Sequence, residues 1–127
     1  MAEQKTILVV DDAGLVRLYY RSTLQAAGFR VEEALNGIEA LEKLTVMAVD
    51  LLIVDVNMPQ MDGLTFLRLL RKKAAAVDAI PALITSTESG AGDFAAARSA
   101  GANFYLVKPI DPAMLVEIAA VFCGVRK

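Results

Sequence analysis

The sequence predicts an α/β fold: five β-strand–α-helix units in succession, forming one parallel sheet with helices on both faces. Three observations predict it. Short apolar runs alternate along the chain with longer segments of helical pattern. The first and third runs, Ile7-Leu8-Val9-Val10 and Leu51-Leu52-Ile53-Val54, are apolar at every position, as central parallel strands covered on both sides must be. Asn, Asp, Gly and Pro mark the junctions between runs.

Taken in order, Ile7–Val10 is the first strand and Ala13–Ala27 the first helix, stopped by Gly28 in a left-handed conformation. Arg30–Leu35 is the second strand. Asn36 caps the second helix, with Glu39 three residues on. Leu51–Val54 is the third strand, and Asp62 caps a third helix carrying Leu64, Leu67 and Leu70. Ile80–Thr85 is the fourth strand. Gly92-Asp93 opens a fourth helix, Phe94–Ala100, which Gly101 stops. Phe104–Val107 is the fifth strand. Asp111 caps the last helix, Pro112 takes its first position, and Met114, Leu115, Ile118, Val121 and Phe122 form its apolar stripe.

The 127 residues are 56% hydrophobic and 22% charged, enough apolar material for one packed domain spanning residues 1–127. A net charge of −2 argues against a nucleic-acid partner. The one basic cluster, Arg71-Lys72-Lys73, reads as the solvated end of a helix. The apolar run Ile7–Val10 is far too short for a signal-peptide core or a membrane span, and the single cysteine, Cys123, fits a reducing cytoplasm. There is no histidine, so the chain can carry no His ligand, no Ser-His couple and no phosphohistidine. The start at Met1 and the end soon after the last helix favour a complete, stand-alone protein.

In open α/β sheets, ligands gather outside the carboxyl ends of the strands. Those ends carry Asp11-Asp12, Asp55, Thr85-Ser86-Thr87 and Lys108. Clustered carboxylates repel unless a cation compensates. Two or three acids with no His or Cys favour Mg²⁺, which keeps waters and leaves room for phosphate oxygens. Ser86 can donate to a phosphoryl oxygen, Lys108 supplies a compact positive charge, and a carboxylate can be the nucleophile that forms an aspartyl phosphate. Taken singly, each has a plainer explanation: Asp12 as a helix cap, Lys108 as a surface lysine.

Several ordered motifs sharpen this. Val9-Val10-Asp11-Asp12, Leu52-Ile53-Val54-Asp55-Val56-Asn57-Met58-Pro59 with Met61-Asp62-Gly63, Ile84-Thr85-Ser86, and Gly101-Ala102 with Tyr105-Leu106-Val107-Lys108-Pro109 together resemble the receiver domains of two-component response regulators. The likeness is greatest to chemotaxis-type, single-domain regulators and covers about residues 5–124. It implies a flavodoxin-like, doubly wound (βα)5 fold with strand order 2-1-3-4-5. It implies Asp55 as phosphoryl acceptor, with Mg²⁺ held by Asp12 directly, by Asp11 largely through water, by Asp55, and by the Asn57 carbonyl. Ser86 would bind the phosphoryl group after transfer. Lys108 would pair with Asp55 and then with the phosphoryl group, and the Lys108–Pro109 bond is often cis in such domains. Ser86 and Tyr105 would form the switch that changes the face of helix four, strand five and helix five. Asn57 and Glu88 would tune phosphate lifetime toward a short-lived state.

The expected partners are a histidine kinase or histidine phosphotransfer protein as donor and a downstream protein as target. Neither a nucleic acid nor a membrane is expected, and the chain should be a monomer or weak dimer. It would be a signalling domain, with only self-catalysed transfer and autodephosphorylation. Thr87, after the switch hydroxyl, would narrow access to the phosphate, and the Thr85-Ser86-Thr87 triplet leaves the acting hydroxyl to be chosen by counting, which selects Ser86. Other readings are a receiver excised from a longer regulator, a phosphorelay shuttle, or an Mg²⁺-dependent aspartyl-phosphate phosphatase. The last lacks the Asp-x-Asp pair, because Asn57 follows Asp55-Val56. A flavin-binding domain is disfavoured because Asp11-Asp12 would repel the flavin phosphate.

Overall fold

The structure is a computed structural model that describes residues 4–73 and 79–125. Five parallel strands, β1 (Thr6–Val10), β2 (Arg30–Ala34), β3 (Leu51–Asp55), β4 (Ala82–Ser86) and β5 (Phe104–Val107), pair in the order β2-β1-β3-β4-β5. The helices among the described residues are α1 (Gly14–Ala26), α2 (Gly37–Leu44), α3 (Gly63–Leu70), α4 (Ala91–Ala100) and α5 (Pro112–Cys123). The expected flavodoxin-like fold and strand order are therefore present.

Strand alternation splits the core in two. Leu8, Val10, Leu52, Val54, Ala82 and Ile84 pack on the layer of α2, α3 and α4 with Phe66, Leu67 and Leu70. Ile7, Val9, Leu51, Ile53, Leu83 and Leu106 pack on α1 and α5 with Tyr20, Leu24 and Leu115. Each large aliphatic side chain fully buried here contributes roughly 1.5–3 kcal/mol.

The caps explain the helix starts. Asn36 Oδ1 accepts from Glu39 N at 2.9 Å, Asp62 Oδ1 from Thr65 N at 2.8 Å, and Asp111 Oδ2 from Met114 N at 3.1 Å. Gly28 and Gly101 adopt φ 96° and 109° at the ends of α1 and α4, as expected of helix stops.

Four expectations need correction. β4 starts at Ala82, because Pro81 has no N–H to give the ladder, and it runs through Ser86, which pairs with Val107. α4 starts at Ala91, one residue before Gly92; the Asp93 carboxylate reaches back to accept from Gly90 N at 3.1 Å. On α5, Met114 and Val121 face outward, 50% and 71% exposed, while Leu115, Ala119, Ala120 and Cys123 are buried. That helix is apolar nearly all round, so its small alanines, which permit close approach, decide the inner face. Finally, Arg71 is not a solvated helix end. Its guanidinium donates to Gly101 O at 2.8 and 3.0 Å, to Ile80 O at 2.7 Å and to Asn103 Oδ1 at 2.9 Å.

Candidate functional site

The carboxyl ends of β1, β3 and β5 bring three carboxylates and one ammonium together. Asp55 is the last residue of β3, and Asp11 and Lys108 each lie one residue past their strands. Lys108 Nζ bridges them, donating to Asp55 Oδ1 at 3.0 Å and to Asp11 Oδ2 at 3.1 Å. Oxygens of Asp11, Asp12 and Asp55 lie within 4.8 Å of one another. Asp11 and Asp55 are buried, whereas Asp12 is exposed.

The acidic loop is fixed by the backbone. Asp11 N donates to Ala34 O at 3.1 Å, continuing the β1–β2 ladder by one bond. Asp11 Oδ1 accepts from Ala13 N at 2.9 Å, so Asp11, not Asp12, holds the turn into α1. The N-cap of α1 is Ala13, and the Asp12 carboxylate has no hydrogen-bond partner among the described residues. A glycine brings α3 against the end of β3: a Cβ at Gly63 would collide with the Asp55 carbonyl.

Residues 7–120 match the response regulator receiver domain. This chain belongs to that family. It is 39% identical over 120 residues to the chemotaxis protein CheY1 of Helicobacter pylori, covering 93% of this chain and 96% of the relative. A CheY homolog of Campylobacter jejuni is 39% identical over 113 residues, covering 87% and 86%. The solved structure of the chemotaxis protein CheY4 of Vibrio cholerae superposes with a TM-score of 0.89 at 34% identity, covering 94% of this chain and 99% of that one.

The electrostatics of the receiver site follow from its count of charges. Burial pushes the pKa of Asp55 up; the Lys108 hydrogen bond works against this, and the Asp11 and Asp12 charges add to it. Burial alone would lower the pKa of Lys108, but hydrogen bonds and charges from Asp55 and Asp11 outweigh it and hold the ammonium above its ordinary value. One ammonium cannot neutralise three carboxylates, so the Asp11 and Asp12 charges add to the effect of burial on Asp55. The site's donor set is all oxygen, with one partnerless carboxylate at its mouth, and that fits a hard divalent cation such as Mg²⁺.

Alternation separates the hydroxyls of the triplet. Ser86 lies on the face of Ala82 and Ile84, with Tyr105, while Thr85 lies on the face of Leu83, toward α1. Thr87 is exposed and lines a cleft of about 660 Å³ with Leu15, Tyr19, Tyr20, Lys108 and Pro109. Glu88 links the two expected switch residues through its backbone. Its N–H donates to Ser86 Oγ at 3.0 Å, and its carbonyl accepts from Tyr105 Oη at 2.8 Å. The Tyr105 ring meets Phe94 of α4 edge-on at 4.6 Å. The side chains of Glu88 and Asn57 lie outside the hydrogen bonds made among the described residues, and both residues are exposed. The Lys108–Pro109 bond is cis.

Sequence reasoning missed four participants: the Lys108–Asp11 contact, Phe94 beneath Tyr105, Arg17 under the acidic loop, and Tyr20. Tyr20 is buried beside the site. Burial raises its pKa to about 12, with Lys108 and the nearby Thr85 hydroxyl pulling the other way. Thr85 Oγ1, though buried, makes no hydrogen bond among the described residues. A tyrosine at helical spacing among apolar residues gives no signal beyond core packing. No helix among the described residues is long and apolar enough to cross a membrane.

Proposed function

We propose that this receiver is a phosphorylation-controlled binding module whose acceptor is Asp55. The observation that carries the reading is Lys108 held between Asp55 and Asp11 beside the partnerless Asp12. An Asp55 carboxylate oxygen attacks phosphorus of a phosphohistidine on a histidine kinase or phosphotransfer protein. The O–P bond forms, the P–N bond breaks, and the leaving imidazole keeps the electron pair and takes a proton. Mg²⁺, held by Asp11, Asp12, Asp55 and the Asn57 carbonyl, supplies charge neutralisation for the phosphoryl oxygens when bound. Lys108 exchanges its carboxylate partner for a phosphoryl oxygen, and Ser86 gives up its role as acceptor for Glu88 N to donate to another.

That movement releases the N–H of Glu88, whose carbonyl accepts from Tyr105, so the backbone of one residue couples the two side chains. The readout is a population shift in the face of α4, β5 and α5, where Phe94, Phe104 and Val107 are exposed, and it changes affinity for a downstream protein. The named relatives support a chemotaxis-type role. Asn57 and Glu88, both polar and exposed, orient the attacking water and give a short-lived phosphoryl state.

The test is intact mass after incubation with Mg²⁺ and a small acyl phosphate. Wild type gains one phosphoryl group and Asp55→Asn gains none. Absence of any adduct with donor and metal in excess sinks the reading, and an adduct lasting many hours at neutral pH sinks the short lifetime.

A further inference from the structure

The turn from β1 into α1 must leave the sheet and still present the Asp12 carboxylate in one direction. The Asp11 carbonyl lies past the last β1 pairing, so the ladder offers it no partner. Arg17, one turn into α1, fills that role: its Nη1 donates to the Asp11 carbonyl at 2.6 Å. The same guanidinium is oriented from β2, because its Nε donates to Glu33 Oε1 at 3.0 Å. Its side chain is only 15% exposed, so this is no loose surface pair. Glu33 is itself held: Arg21 Nη1 reaches its Oε2 at 2.5 Å, and Lys43 of α2 donates to its carbonyl. Asp11 is therefore gripped through its N–H by Ala34, through its carbonyl by Arg17, and through its carboxylate by Ala13 N and Lys108. Of the two acids in this turn, Asp12 is the one whose carboxylate has no hydrogen-bond partner among the described residues.

We propose that Arg17 is a positioning residue for the cation site, fixing the Asp11-Asp12 turn so that the Asp12 carboxylate faces the metal, with Glu33 as the counterion that makes its charge tolerable there. The inference rests on the metal-binding part of the proposed function. It runs against the simplest electrostatic expectation. A positive charge beside a divalent cation weakens binding, so a mere neighbour would improve affinity when removed. A positioning residue does the reverse. A single ammonium cannot match the planar fork that serves Glu33 and the Asp11 carbonyl together, so lysine is no substitute.

The experiment is Mg²⁺ titration by calorimetry on the purified full chain, without phosphodonor, alongside thermal melts. Arg17→Met weakens Mg²⁺ binding by about tenfold, the lower end of losses seen when a metal's supporting shell is removed. Arg17→Lys weakens it in the same direction despite keeping the charge, and Glu33→Gln weakens it less than Arg17→Met. Arg17→Lys carries the test if Arg17→Met does not fold. Unchanged or tighter Mg²⁺ binding in folded Arg17 variants overturns the positioning role and leaves the metal site standing. Failure of the wild type to bind Mg²⁺ overturns the metal reading itself.

Discussion

At each end of the sheet a long cation gathers several acceptors, and the two, Arg71 and Lys108, are used in opposite ways. At the amino end, Arg71 spreads its guanidinium over neutral acceptors among the described residues, including the carbonyls of Gly101 and Ile80 and the amide oxygen of Asn103. Asn103 in turn accepts from Ala82 N at 2.8 Å, so one side chain ties the end of α3 to the starts of β4 and β5. At the carboxyl end, Lys108 faces three carboxylates and can satisfy only part of their charge. One end is closed by its cation and the other is left wanting more. The first is an arrangement for stability; the second holds charge in reserve for a ligand.

The largest effect that would break this contrast is at Arg71. Arg71→Ala strands several acceptors at once and is expected to cost about 3 kcal/mol in denaturant unfolding, with Mg²⁺ affinity of the folded protein unchanged. A loss of Mg²⁺ binding without a loss of stability would mean that the ends are not separate. Next comes the cation itself. At about a hundred times its Kd, Mg²⁺ should add roughly 2.7 kcal/mol, seen as a higher melting temperature that Asp12→Asn abolishes.

Asp55→Asn should raise the melting temperature of the metal-free protein. The sign follows from the raised pKa: the native state holds the Asp55 proton more tightly than the unfolded chain. The associated stability is present below the ordinary value of 3.8 and is lost as pH rises through the folded value. The advantage of Asn should therefore be present at neutral pH and fade as pH falls toward 3.8, and a variant less stable than wild type at neutral pH would refute it. The smallest effect is at Thr85. Thr85→Val replaces a buried hydroxyl without a partner by a methyl group, and stability should rise by about 1 kcal/mol. A clear fall would show that the Tyr20–Thr85 approach carries a real bond.

How much was legible in the sequence differs between these ends for a physical reason. Asp11, Asp55 and Lys108 can be found because each directly follows a short apolar run and their residue types suit one chemistry. β1 and β3 are legible because Ile7–Val10 and Leu51–Val54 are apolar at every position. The observed alternation puts Ser86 and Thr85 on opposite faces of the sheet, a separation that counting along the strand makes legible. Arg71 was hidden because a basic residue at a helix end looks the same whether it meets water or carbonyls. Arg17 was hidden because its partners, the Asp11 carbonyl and Glu33, exist only once β2 lies beside β1. The inner face of α5 was misjudged because size was taken for burial, while Ala119 and Ala120 do the close packing.

Ser86 and Thr85 are neighbours in the chain, yet they look into different layers of the molecule. The sheet is thus a partition with one charged doorway at its rim. On one side lies the cleft of α1 and Lys108; on the other, Glu88, Tyr105 and α4. A lineage can redraw the vocabulary of one layer while the wall keeps the other intact. A change in the cleft beside α1 and one beneath Tyr105 should therefore be felt in different layers.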